Sequence, residues 1–235
     1  MAEWRTYTLS DFLLFSPRTY HRLFELYNAD IWPAQLVALA LGGIILAVLL
    51  RDSRWRGRVV AAIMALCWLW IAGAFHIRHY ATINWAAAYF AAGFAIQALL
   101  LGWRGVFRDR LRFHPPEAPV GYAGLAIFLF ALLVQPLIGP LLGRPWRQIE
   151  LFGVAPDPLA VATLGILLLA ADRVAWELMV IPIIWCLIGG ATLWAMESPD
   201  AVLLPFVALV VTLLAGWCVL SPTRRSPSLD RESGA

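Results

Sequence analysis

Lysine is missing altogether: all eighteen basic residues of this 235-residue chain are arginines. A retinal Schiff base needs a lysine amine, so a retinal protein is excluded however many helices follow. Charge of either sign is scarce, at 14% of residues against about a quarter in soluble domains. Cysteine occurs three times, as Cys67, Cys186 and Cys218, each inside an apolar run and none in CxxC spacing. Such cysteines read as small buried hydrophobes. Catalytic signatures are lacking too: there is no Ser/His/Asp ordering with suitable flanks, no phosphate loop and no HExxH. An enzyme is therefore not expected. The first apolar run, Phe12 to Phe15, is too short for the core of a signal peptide.

What is abundant is apolar surface, at 61% of residues. In water that composition would leave far more exposed apolar area than a monomer tolerates. In lipid it is required, because every backbone polar group must be satisfied inside a helix or closed barrel. About 20 helical residues cross a 30 Å hydrocarbon layer. Runs of that kind occur at about 31–50, 59–77, 84–103, 119–142, 158–171, 175–196 and 201–220, the fifth being the shortest. The expected fold is an all-α transmembrane helix bundle of seven spans. Residues 1–30 form an outer N-terminal segment, and 221–235 form a polar, disordered tail.

Arginine sets the expected orientation. The 51–58 and 104–112 loops, the 172–173 turn and the tail hold twelve arginines, and the opposite side holds six. That places the C-terminus in the cytoplasm and, with seven spans, the N-terminus outside. Ser16-Pro17 is a helix start, a capping hydroxyl followed by proline at the first helical position. Tyr20, Leu23, Phe24 and Tyr27 then recur at helical spacing, opposite Arg18, His21, Arg22 and Glu25. This predicts an amphipathic helix over about 17–27, lying at the membrane surface or over the bundle mouth. Trp32, Trp55, Trp103, Trp146 and Trp217 fall near span ends, where an aromatic belt belongs. The arginines lie between apolar segments rather than in one patch, which argues against nucleic acid as a partner.

Polar groups within the spans are few: Gln97, Gln135 and Thr163. No acid or base falls near mid-span, which argues against a proton-coupled pump. The expected outer ends are richer, with Asn28, Asp30, Gln35, His76, Arg78, His79, Asn84, Gln135, Arg144, Arg147, Glu150, Asp157, Glu197 and Asp200. From these, Asn28, Asp30, Gln35, His76, His79, Asn84, Gln135 and Asp157 are the candidate substrate-binding residues. His76 and His79 are three apart, so on a continued helix they share a face and could hold a transition metal with a carboxylate. Hydrogen bonds to headgroups or loop carbonyls are the plainer reading of both. Haem fits less well, since its axial ligands face each other across a bundle. Gly42-Gly43 and Gly189-Gly190 are candidate close-packing faces. Pro136, Pro140, Pro182 and Pro205 mark kinks or broken helices.

Three stretches resemble a family of bacterial multi-pass membrane proteins known as a domain of unknown function. Phe24 to Gln35 is similar to its F-x-x-Y-N-x-x-x-W-P-x-Q opening. His76 through Asn84-Trp85-Ala86-Ala87 resembles its H-x-x-x-F-x-x-I-N-P-A-A turn, and Phe152 to Pro158 its F-G-x-x-P-C-P segment. Trp85 stands where proline is usual and Asp157 where cysteine is expected, which puts any thiolate ligand role in doubt here. The resemblance implies a bacterial inner-membrane location, and some members are loosely labelled permeases.

These observations lead to a small permease or transporter-like protein with an outward-facing polar site. The alternatives are a non-catalytic accessory subunit of a larger energy-transducing assembly, packed against other membrane subunits, lipid, quinone or pigment, and, more remotely, a metal or haem redox protein. No cofactor is assigned.

Overall fold

The computed structural model describes residues 15–51, 53–113, 119–170 and 175–220. The polar tail, the first fourteen residues, His114 and the 172–173 turn lie outside the described residues. Everything described is helix or connection, apart from one isolated antiparallel bridge between Phe113 and Ala170.

The helices are α1 (Pro17–Asp30), α2 (Ala34–Leu50), α3 (Arg56–Thr82), α4 (Ala87–Phe107), α5 (Pro119–Leu141), α6 (Pro156–Leu168), α7 (Trp176–Ala195) and α8 (Leu203–Leu220). Five of them, α3, α4, α5, α7 and α8, are long and apolar enough to cross a membrane. At 17 residues α2 is slightly shorter, and it meets α1 at a bend of 88°. With 13 residues, α6 is only about 20 Å long at 1.5 Å per residue.

Ser16 caps α1, accepting from the Thr19 amide at 3.2 Å, with Pro17 at the first position. The helix buries Tyr20, Leu23, Phe24 and Tyr27. It is then tied down by polar bonds. Tyr27 donates to the Val154 carbonyl at 2.8 Å, and Asn28 Nδ2 reaches the carbonyls of Arg147 and Ile149 at 3.0 and 2.8 Å. This gathers α1, the 142–155 connection and the start of α2 at one end of the bundle, the α1 end. At the opposite, arginine-rich end, Arg56 donates to the Phe113 carbonyl at 2.7 Å and Arg104 pairs with Glu177.

The core is built around α6, all thirteen residues of which are buried. It packs against α3, α5, α7 and α8. Such contact needs small residues, because without a hydrophobic drive between helices in lipid, close backbone approach supplies the packing. One close crossing joins Gly124 of α5 to Gly165 of α6. A Cβ on Gly165 would stand 2.7 Å from both the Gly124 carbonyl oxygen and the Phe128 amide nitrogen. Since α6 is short and enclosed, its ends are recessed. Asp157 in its first turn meets α7 at the α1 end, whereas Ala170, just beyond it, bridges Phe113 at the other.

Three π-helical turns interrupt the bundle, at Ile71–Ile77, Gly102–Phe107 and Phe130–Val134. Such turns insert a residue and re-aim side chains, and they recur at functional sites. The first carries His76, and the third delivers Gln135.

Candidate functional site: a recessed acidic cluster at the α1 end

Four charged side chains converge where α6 begins. Arg144, from the connection after α5, pairs through Nη2 with Asp200 and lies 3.7 Å from Glu150 Oε1 through Nη1. These three side chains are only 15, 16 and 12% exposed for Arg144, Glu150 and Asp200 respectively. Asp157 is 5% exposed and accepts a hydrogen bond of 2.8 Å from Trp185 Nε1. Gly189 leaves room for it, because a Cβ there would stand 3.2 Å from Asp157 Oδ1.

Local sequence explains why a helix start can be buried here. The first amides of a helix have no internal partner, yet Pro156 and Pro158 carry no N–H and remove two of those orphans. The remaining partial positive charge of the helix N-terminus favours a carboxylate, which Asp157 supplies.

The cluster surrounds a cavity of about 30 Å³, lined among others by Gln135, Arg144, Glu150, Asp157 and Asp200. That is room for about one water molecule. Gln135 Oε1 is buried there with no hydrogen-bond partner among the described residues. Glu150 and Asp200 thus share one guanidinium, with Asp157 lining the same cavity. Burial, then repulsion from Asp157, pushes the Glu150 carboxyl up to about 8, with Arg144 opposing the rise. Burial therefore favours its protonated form. His21 of α1 is shifted the other way, chiefly by burial and then by the positive charge of Arg144.

The structure brings Gln135 and Asp157 together and scatters the other sequence candidates. Gln35 donates from Nε2 to the Asn28 carbonyl at 2.7 Å, so Asn28 and Gln35 tie α1 to its neighbours. Asn84 accepts from the Ala86 amide at 2.9 Å in the turn that leads into α4. Asp30 and His79 form a pair at 3.4 Å, and His79 Nδ1 lies 2.8 Å from the Ala74 carbonyl. His76 is wholly buried among Phe75, Phe94 and Trp185, with ring centroids 4.5 to 5.2 Å away, and neither ring nitrogen has a partner among the described residues.

The expected shared face of His76 and His79 is corrected here. The π-helical turn at Ile71–Ile77 changes the angular step, so His76 enters the core beside α4 and α7 while His79 faces α1. Among the described residues no group of three or more His, Cys, Asp or Glu could hold a metal ion. His76 still adjoins the acidic site, through the Trp185 ring that donates to Asp157.

Arg144, Glu150 and Asp200 were visible in the sequence as outer-end charges, but nothing selected them. The usable signal was their opposite sign in loops placed on one face of the bundle. Nothing in the sequence singles out Trp185.

No curated protein and no solved structure matches the chain. A family model covers residues 18–226, from the second residue of α1 to beyond the end of α8. The chain belongs to that family, DUF6064, a family of unknown function.

Proposed function

We propose that this is a seven-crossing bacterial inner-membrane protein of permease type whose recessed α1-end site takes up a small cation or a proton. The observation that carries this reading is the imbalance of the cluster: three carboxyl groups and one guanidinium line space for about one water, and only Glu150 and Asp200 pair with that guanidinium. Intramembrane ionisable groups are costly and mark ion or proton pathways when they are kept. The Gln135 acceptor without a donor adds to the attraction for a cation. A cavity of about 30 Å³ suits an ion or a water better than a metabolite.

Five long apolar helices support the membrane reading, and α2 and the short α6 are read as two further crossings. The arginine excess at the opposite end orients the α1 end outward. Burial of Asp157 revises the sequence argument against ionisable groups inside the bundle, because α6 is short enough to draw its first turn inward.

The test is purified protein in liposomes loaded with a pH-sensitive dye, under imposed proton, Na⁺, K⁺ or Li⁺ gradients. Wild type is expected to give a gradient-driven response that D157N abolishes. Traces indistinguishable from empty liposomes under every gradient would overturn the reading and favour an accessory subunit.

A further inference from the structure

The arginine-rich end holds a second cavity, of about 600 Å³, lined by Arg104, Arg108, Arg110 and Arg112 together with Asp109 and Glu177. Both acids are already engaged. Arg104 pairs with Glu177, and Arg58 approaches Asp109 at 3.4 Å. Among the described residues, Arg108, Arg110 and Arg112 have no carboxylate partner. Among the described residues, the cavity lining therefore carries surplus positive charge.

These arginines are held in place by the fold. The π-helical turn Gly102–Phe107 closes α4, and the chain doubles back, with the Arg110 amide donating to the Arg104 carbonyl at 2.9 Å. Residues 110–113 then alternate: Leu111 and Phe113 are each 5% exposed, while Arg110 and Arg112 face outward. The Phe113–Ala170 bridge and the bond from Arg56 anchor the segment. Arg108 lies over the Trp103 ring at 4.7 Å, which orients a third guanidinium.

We propose that this cavity binds a phosphate-bearing anion, supplied by the headgroup of an anionic phospholipid. Guanidinium groups present paired donors that match phosphate oxygens, and basic pockets between apolar helices hold such headgroups. The volume suits a headgroup. Exposed Trp103 and Phe107 on the adjoining turn of α4 offer an apolar flank for the acyl chains. The inference rests on the membrane reading but not on the acidic site.

The test is thermal unfolding of the full chain in mild detergent, titrated with dioctanoyl phosphatidylglycerol, dioctanoyl phosphatidylcholine or inorganic phosphate. The expected result is a saturable rise in Tm with phosphatidylglycerol, absent with phosphatidylcholine and lost in the R108Q/R110Q/R112Q variant. R112Q alone, a change on an exposed side chain, keeps the test decisive if the triple variant does not fold, and should weaken apparent affinity roughly tenfold. Equal stabilisation by inorganic phosphate, also lost in the variants, would assign the site to a free anion instead of a lipid. An unchanged response in R112Q, or equal stabilisation by phosphatidylcholine, would overturn the proposal. Insertion into phosphatidylcholine vesicles, measured by flotation after alkaline washing, separates failure of this site from failure of the membrane reading.

Discussion

The two ends of the bundle handle scarce charge in opposite ways. At the α1 end, one arginine and three acids are drawn beneath the surface around the recessed start of α6. At the other end arginines outnumber acids and, apart from the buried Arg56, stay accessible, with Arg104 and Glu177 31% and 42% exposed. The difference follows from α6. A helix of 13 residues leaves a depression at its N-terminal end, and the 142–155 and 196–202 connections fill it with their own charged groups. Partners at the first end are internal, whereas at the second Arg108, Arg110 and Arg112 have no carboxylate partner among the described residues.

The most direct way to break this comparison is R144A. Removing one member of a buried ionic group strands its partners, at a cost of about 3–5 kcal/mol. Thermal or denaturant unfolding in detergent should show that loss, and R144K should recover part of it. A variant as stable as wild type would mean that the cluster is hydrated like a surface.

Next in size is G165V, which forces side-chain atoms against the Gly124 carbonyl and the Phe128 amide. Both contacts are backbone and cannot move aside, so a loss of about 1–3 kcal/mol or more is expected. G43A is the control: nothing lies within 4 Å of a Cβ there, and its unfolding should be unchanged or slightly improved. Equal losses in the two would mean that α5 and α6 do not cross at glycine.

The pH dependence sharpens the contrast further. Glu150 holds its proton more tightly when folded, its pKa rising from 4.5 to about 8. Between those values the folded state binds more protons than the unfolded one. Stability therefore falls as pH rises through that window and levels off above it. E150Q, neutral throughout, should flatten this slope. His21 acts in the opposite sense. Its pKa is lowered from 6.5, so the unfolded state takes up the proton first and stability falls as pH drops below that value. The difference between wild type and E150Q isolates the carboxyl from this second slope.

The smallest expected effect lies at the arginine-rich end. R104A breaks a partly exposed pair and should cost about 0–1 kcal/mol. A loss matching that of R144A would erase the distinction between the ends.

Much of the bundle was legible in the sequence. Ser16-Pro17 announces α1, and the spacing of Tyr20, Leu23, Phe24 and Tyr27 marks the face it buries. Gly189-Gly190 does mark a close contact, since Cβ atoms there would strike Leu204 and Pro205. The complete burial of α6 was not readable, because a helix apolar on every side has no face to name its neighbours. Nor was the separation of His76 from His79, which depends on a π-helical turn that the residue spacing does not announce.

The candidate site was half legible. Polar residues at helix ends look alike in a sequence whether they bind a ligand or satisfy the backbone. Asn28, Gln35 and Asn84 turned out to serve carbonyls and amides, which every fold must pair. Asp157 and Gln135 instead meet charges contributed by distant loops. Arg144 and Asp200 are 56 residues apart, a pairing that one sequence does not specify.

The central claim, that the recessed site holds an exchangeable proton or cation, is tested most directly by infrared difference spectroscopy of the protein in lipid. The account predicts a protonated-carboxyl band at neutral pH that disappears as pH rises through about 8 and is missing in E150Q. A spectrum with no such band, or with one that titrates near 4.5 like an exposed glutamate, would contradict it.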